Sequence, residues 1–174
     1  MILLTILFLL CIYISICFAL HFVSCYVFSS NKITHFKMPP NKVAYYILSF
    51  TWGLPMNLIG SVVALILMCR GKKPIRYGWN YYFECNVSWG LELGIFFIGP
   101  KNASEHLKNH ELGHSIQNIY YGPFTIGVVS IPSAIRFWIR HFKQKKGQKL
   151  VPYDDIWFEG TATKSGEIFM SQYK

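Results

Sequence analysis

Acidic residues are what this chain has least of. Eight of its 174 residues are Asp or Glu, against 17 Lys and Arg, leaving a formal net charge of +9. No acidic side chain precedes Glu84, and no charged side chain of either sign precedes Lys32. Cysteine occurs at Cys11, Cys17, Cys25, Cys69 and Cys85, an odd count with no CxxC pair. That usage argues against a disulfide framework and against a cysteine-type zinc site, and fits thiols acting as small apolar side chains. The opening run also lacks a positive n-region beyond the terminus and a clean small-x-small cleavage site. A retained membrane anchor is therefore expected in place of a removed secretory peptide.

What is abundant is apolar and aromatic surface, 52% and 17% of residues. This is too much for an ordinary soluble domain of this length and points to a membrane. Excess base with interleaved aromatics is one signature of nucleic-acid binding. Here, however, the basic residues sit beside hydrophobic segments, as they do next to anionic lipid headgroups. The expected partner is a bilayer, with no nucleic acid.

Residues 1–30 are uncharged and long enough to span hydrocarbon. Residues 31–42, with Pro39-Pro40, read as a short polar connection. A second span is expected over 43–69, kinked at Pro55 and closed by Arg70-Gly-Lys-Lys. Residues 1–73 thus form a two-helix anchor. From Pro74 the texture becomes aromatic and β-branched. The stretches 79–85 and 88–98 read as the two strands of one hairpin with Asn86 between them. Gly90 and Gly94 leave room for another backbone to approach.

Residues 109–114, Asn-His-Glu-Leu-Gly-His, carry an HExxH pattern. The composition gives about 0.007 such matches by chance, a small false-positive risk. On a helix, His110 and His114 share one face and can aim two imidazoles at one metal ion. Glu111 then points to where a water activated by zinc would sit. The plain alternative is a solvated helix face with three unrelated polar residues. Asn102 is the expected cap, with Glu105 completing a capping box, and Gly122 is the expected stop. His106 lies one turn before His110, as a supporting group or an exposed histidine.

A catalytic zinc needs a third protein ligand, for which His141, Asp154, Asp155, Glu159 and Glu167 are available downstream. Glu159 is favoured, because Trp157-Phe158-Glu159-Gly160-Thr161-Ala162-Thr163 puts an anion on an amphipathic helix from about Asp154 to Tyr173. Ala162 leaves space for that helix to press on the motif helix.

His-Glu-Leu-Gly-His followed by Glu-x-x-Ala resembles the gluzincin metallopeptidases, nearest to the membrane branch of CAAX prenyl proteases and bacterial stress peptidases. The resemblance covers roughly residues 88–170 and is strong at the two short motifs. It implies Glu159 as third ligand and an edge strand over 89–98 holding extended substrate, at Gly90, Leu91, Glu92, Leu93 and Gly94. It also implies an Asp orienting a histidine where this chain has Thr163.

The ligands must meet at one depth, so residues 123–139, apolar but broken by Pro132 and carrying Arg136, are not expected to span. A re-entrant or interfacial hairpin turning at Pro132, or a buried helix, is expected instead. Basic clusters at 70–76 and 140–149 place the 74–174 domain on the cytoplasmic face, in a plasma or inner membrane. The expected fold is thus a mostly α integral membrane protein. Two transmembrane helices precede a small zincin-like α+β domain with a β-hairpin before the motif helix. The expected activity is zinc-dependent cleavage of membrane-associated polypeptides with Glu111 as general base. His106, Tyr120, Tyr121, His141 or Tyr153 would stabilise the oxyanion. The rival is a non-catalytic membrane scaffold that keeps the zincin shape.

Overall fold

The computed structural model describes residues 1–30 and 34–173; the start of the expected 31–42 connection, with Lys32, lies outside them. The chain is mostly helical with one small sheet. Helix α1 (Ile2–Ser30) has 29 residues and is long and apolar enough to cross a membrane. From Tyr13 onward it is not free. Tyr13, Cys17, His21, Ser24 and Phe28 recur at helical spacing and form one stripe against the rest of the fold.

The stretch expected to be one kinked span is two helices, α2 (Lys42–Phe50) and α3 (Leu54–Cys69), at 92° to each other. Pro55 sits in the first turn of α3, where its missing N–H costs nothing, so it starts a helix instead of kinking one. Asn57, fully buried, holds the corner. Its Nδ2 donates to the carbonyls of Ser49 (2.8 Å) and Gly53 (3.0 Å), and its Oδ1 accepts the Ile95 amide (2.8 Å).

The expected single hairpin is replaced by two. Strands β1 (Ile75–Tyr77) and β2 (Asn80–Cys85) turn at Gly78, and β3 (Leu91–Leu93) and β4 (Phe96–Pro100) turn at Gly94. Both glycines have positive φ, +58° and +74°, which other residues rarely adopt. β2 runs parallel to β4, the order is β1-β2-β4-β3, and β3 is left on an edge.

Helix α4 (Glu105–Tyr121) carries the HExxH residues. Ser104, not Asn102, caps it, its side chain accepting the Leu107 amide. Asn102 is spent on turning the chain, at φ +61°, a conformation asparagine tolerates. Gly122 ends α4 as expected, with φ +54°. A 3-10 turn (Gly122–Phe124) and a π-helical turn (Ile126–Ser130) then lead into α5 (Ile131–Lys145). The chain bends by 117° between α4 and this second segment. The bend is therefore at 122–126, not at Pro132, which stands in the first turn of α5. Carbonyls in the bend are met by α1. Tyr13 Oη donates to Pro123 O (2.9 Å), and His21 Nδ1 pairs with Val128 O (2.8 Å).

The last helix, α6 (Trp157–Tyr173), starts later than expected; Asp154 and Asp155 belong to a separate 3-10 turn (Tyr153–Asp155). α6 lies tightly on α4. A methyl on Gly113 would come within 1.8 Å of the Ala162 carbonyl oxygen, and one on Gly166 within 1.8 Å of the Asn109 carbonyl oxygen. Only glycine allows this approach of two backbones.

Candidate metal centre

The α4–α6 contact brings three ligand-type side chains together. His110 and His114 project from successive turns of α4, and Glu159 projects from the first turn of α6. His110 Nε2 and His114 Nε2 lie 3.0 Å apart, and Glu159 Oε2 is 3.2 and 3.3 Å from them. All three residues are buried, Glu159 completely.

The second nitrogen of each ring is already engaged. His114 Nδ1 lies 2.8 Å from Gln117 Oε1, while Gln117 Nε2 donates to the carbonyl of Phe158 (2.6 Å) and to Thr161 Oγ1 (2.8 Å). The amide orientation is thereby fixed, so His114 Nδ1 carries the hydrogen. His110 Nδ1 lies 2.9 Å from Thr163 Oγ1, which donates to Asp154 Oδ1 (3.0 Å). The two Nε2 atoms therefore face each other beside Glu159 Oε2, which ion-pairs with both and has no other hydrogen-bond partner among the described residues. Lone pairs at that separation repel unless a cation, a bound proton or a metal ion, lies between them. The donor set, three ligand atoms converging on one point, fits a metal ion.

The electrostatics agree. Burial pushes the Glu159 carboxyl up, but the two imidazoles outweigh it and hold the group well below the usual carboxylate range. Burial pushes His114 down, and Glu159 more than reverses this, raising it to about 9. Both directions describe a pocket that attracts positive charge. Glu159 is further held by Ser133 of α5, whose hydroxyl donates to Oε1 (2.7 Å).

A cleft of about 500 Å³ opens beside the triad. Glu111 stands at its wall, its carboxyl pushed up by burial and accepting the Glu92 amide. A methyl on Gly90 would lie 2.1 Å from Glu111 Oε1, so the space expected for an incoming backbone is filled by this carboxylate. Gly90, Leu91 and Glu92 line the cleft. The structure does not bring Leu93 and Gly94 there: Leu93 is buried with its carbonyl against Gly60 of α3, and Gly94 serves the β3–β4 turn.

Tyr153 also lines the cleft, its ring centroid 5.7 Å from that of His110. Its own loop is clamped from α5. Arg136 Nη2 donates to the carbonyls of Pro152 (2.8 Å) and Tyr153 (2.9 Å), and the Arg140 guanidinium lies 5.2 Å from the Tyr153 ring centroid. The other four oxyanion candidates lie elsewhere. Tyr120 Oη donates to Lys37 O, Tyr121 pairs with Ser24, His106 is exposed 4.0 Å from Asp154, and His141 stacks with Phe137 on α5.

Gln117, Ser133 and Asp154 are the site residues that the linear pattern did not assign to these roles. Gln117 had a local signal, standing three residues after His114 on the same helix face. Ser133 had none, because its place depends on the bend at 122–126. Comparison with protein-family models, with curated proteins and with solved structures finds no match.

Proposed function

We propose that this protein is a zinc-dependent endopeptidase that cleaves polypeptides at or in the membrane. The observation that carries the reading is the meeting of His110, His114 and Glu159, their free ligand atoms turned inward, beside Glu111 in one cleft. Tetrahedral ligands at zinc's bond length of about 2.0–2.1 Å lie about 3.3–3.4 Å apart. The 3.0–3.3 Å separations here need little adjustment. A zinc ion held there supplies Lewis acidity, polarising the scissile carbonyl and making water a better nucleophile.

The chain's own groups supply the rest. Glu111, raised by burial, takes a proton from the attacking water and hands it to the departing amine. Tyr153, which burial keeps protonated, donates its hydroxyl to the developing oxyanion. The outer edge near Gly90–Glu92 aligns the substrate backbone. Trp89, Leu91, Val129, Phe137 and Trp138 form an apolar wall for a large apolar side chain.

Helix α1 supports a site at membrane depth. It is long and apolar enough to cross a bilayer, and Tyr13 and His21 on its docked stripe pair with the carbonyls of Pro123 and Val128, so the turns at 122–130 lie beside it. The cleft then opens at the membrane, and the basic segments at 70–76 and 140–149 favour the cytoplasmic face.

The test uses the full chain in lipid nanodiscs. Wild type and Glu111→Gln should each hold one zinc, and Glu159→Ala none. Only wild type should cut an unstructured membrane-tethered peptide, with chelator abolishing the cleavage. Stoichiometric zinc in the Glu159 variant, or undiminished cleavage by Glu111→Gln, overturns the reading. Reporters after residues 76 and 150 should report the same face of the bilayer.

A further inference from the structure

Thr163 stands where the resembled enzymes use an aspartate to orient a ligand histidine. A hydroxyl alone is a poor substitute for two reasons. It is a weaker acceptor than a carboxylate. It can also rotate, donating its single hydrogen either to a helix carbonyl or to the histidine itself. Donation to His110 Nδ1 would place the ring hydrogen on Nε2, the atom turned towards Glu159 and His114.

The structure removes this freedom. Thr163 Oγ1 lies 2.9 Å from His110 Nδ1 and 3.0 Å from Asp154 Oδ1. An ionised carboxylate only accepts, so the hydroxyl hydrogen goes to Asp154. The oxygen is then left as acceptor for His110 Nδ1–H, and Nε2 keeps its lone pair. The chain His110–Thr163–Asp154 runs in one direction, and each bond polarises the next. The Pro152–Tyr153 segment that delivers Asp154 is the one held by Arg136. The other carboxylate oxygen faces exposed His106 at 4.0 Å, too far for a hydrogen bond, so Thr163 is its partner at this site.

We propose that Asp154 is a positioning residue that acts through the Thr163 hydroxyl to orient His110, supplying from a neighbouring loop the carboxylate that position 163 lacks. The proposal rests on the reading of His110, His114 and Glu159 as a zinc site. Deletion of an outer partner of a ligand histidine typically lowers metal affinity about 10–100-fold.

The test is zinc affinity, measured by competition with a chromophoric chelator on the full chain in nanodiscs. Thr163→Val and Asp154→Ala should each weaken zinc about 10–100-fold, and the two together no more than Thr163→Val alone. Thr163→Ser, which keeps the hydroxyl, should hold affinity near wild type. In a Thr163→Asp background the carboxylate reaches His110 directly, and Asp154→Ala should then change nothing.

Wild-type affinity in Asp154→Ala, or an equal loss from that change in the wild-type and Thr163→Asp backgrounds, overturns the relay while leaving the zinc site standing. A wild type that holds no zinc overturns the site itself, and the relay with it. Native size-exclusion elution separates either result from misfolding: a variant that loses zinc only by failing to elute as wild type counts against the relay.

Discussion

Helices α4 and α5 follow one another in the chain and have opposite surroundings. α4 carries the polar sequence, yet Asn109–Ile119 is an unbroken buried stretch that includes two His, two Asn, one Glu and one Gln. α5 carries Ile131, Ile135, Phe137, Trp138, Ile139 and Phe142, and among its described residues none is buried. In water this arrangement would be inside out. The difference teaches that the two helices answer to different surroundings. α4 is stabilised by partners that satisfy its polar atoms, whereas α5 leaves its apolar side chains uncovered by the rest of the fold, the face that the proposed membrane reading covers with lipid.

The sharpest way to break the comparison is to make steric changes on both sides. Gly113→Val puts a side chain where even a methyl would lie 1.8 Å from the Ala162 carbonyl oxygen. The α4–α6 contact must open. We expect loss of the cooperative thermal transition, because overpacking of several kcal/mol consumes most of an ordinary stability margin. Phe142→Ser on α5, where the ring is 57% exposed, should shift Tm in detergent by no more than about 2 °C. A Gly113→Val protein that unfolds like wild type would show that the close approach is not needed.

Gly90→Ala makes the next largest change, and it acts on chemistry instead of folding. The added methyl would stand 2.1 Å from Glu111 Oε1, a flexible side-chain end, so Glu111 moves and the fold survives. Displacing a catalytic group by about 1 Å costs on the order of 100-fold in rate. We therefore expect cleavage to fall about that much with zinc content unchanged. Loss of zinc together with activity would assign Gly90 a structural part. Gln117→Leu does the reverse. It frees His114 Nδ1 and should weaken zinc about 10–100-fold while the thermal transition persists.

The parts legible in the sequence were those set by local spacing. The HExxH histidines are four apart, so any helix brings them together, and Gly122 ended α4 where a C-terminal glycine is expected. Ala162 marked the close side of α6 because small residues make room wherever two helices press together. What escaped was set by contacts distant in sequence. The β2–β4 pairing is parallel and needs a crossover that alternation along a strand does not encode. Pro55 and Pro132 were read as a kink and a turn, although proline serves equally well in a first helical turn, and the bends fell nearby at glycines 53 and 122. Asn102 and Ser104 both suit a cap, and only the turn at 101–102 decides between them. Thr163 read as a departure because its compensation arrives from Asp154, nine residues back on another element.

The smallest effect concerns a second buried carboxyl in the cleft. Glu92 accepts the Gly94 amide at the β3–β4 turn, and burial pushes it up from 4.5 to about 8, with His114 opposing and Glu111 adding to the shift. Between pH 4.5 and 8 the folded chain therefore keeps a proton that the unfolded chain has released. Stability contributed by this group must fall as pH rises through that window and be level below it. Gln in this place keeps an oxygen for the Gly94 amide and never ionises. With chelator present, so that metal does not enter, the Tm of Glu92→Gln should match wild type near pH 4.5 and exceed it by a few degrees at about pH 8. Because the gain comes from removing a buried charge, it should also appear in the Glu111→Gln background, reduced by whatever share the neighbouring carboxylate contributes. A wild type and a Glu92→Gln variant with parallel Tm profiles across that range would mean that Glu92 does not carry its proton into the folded state.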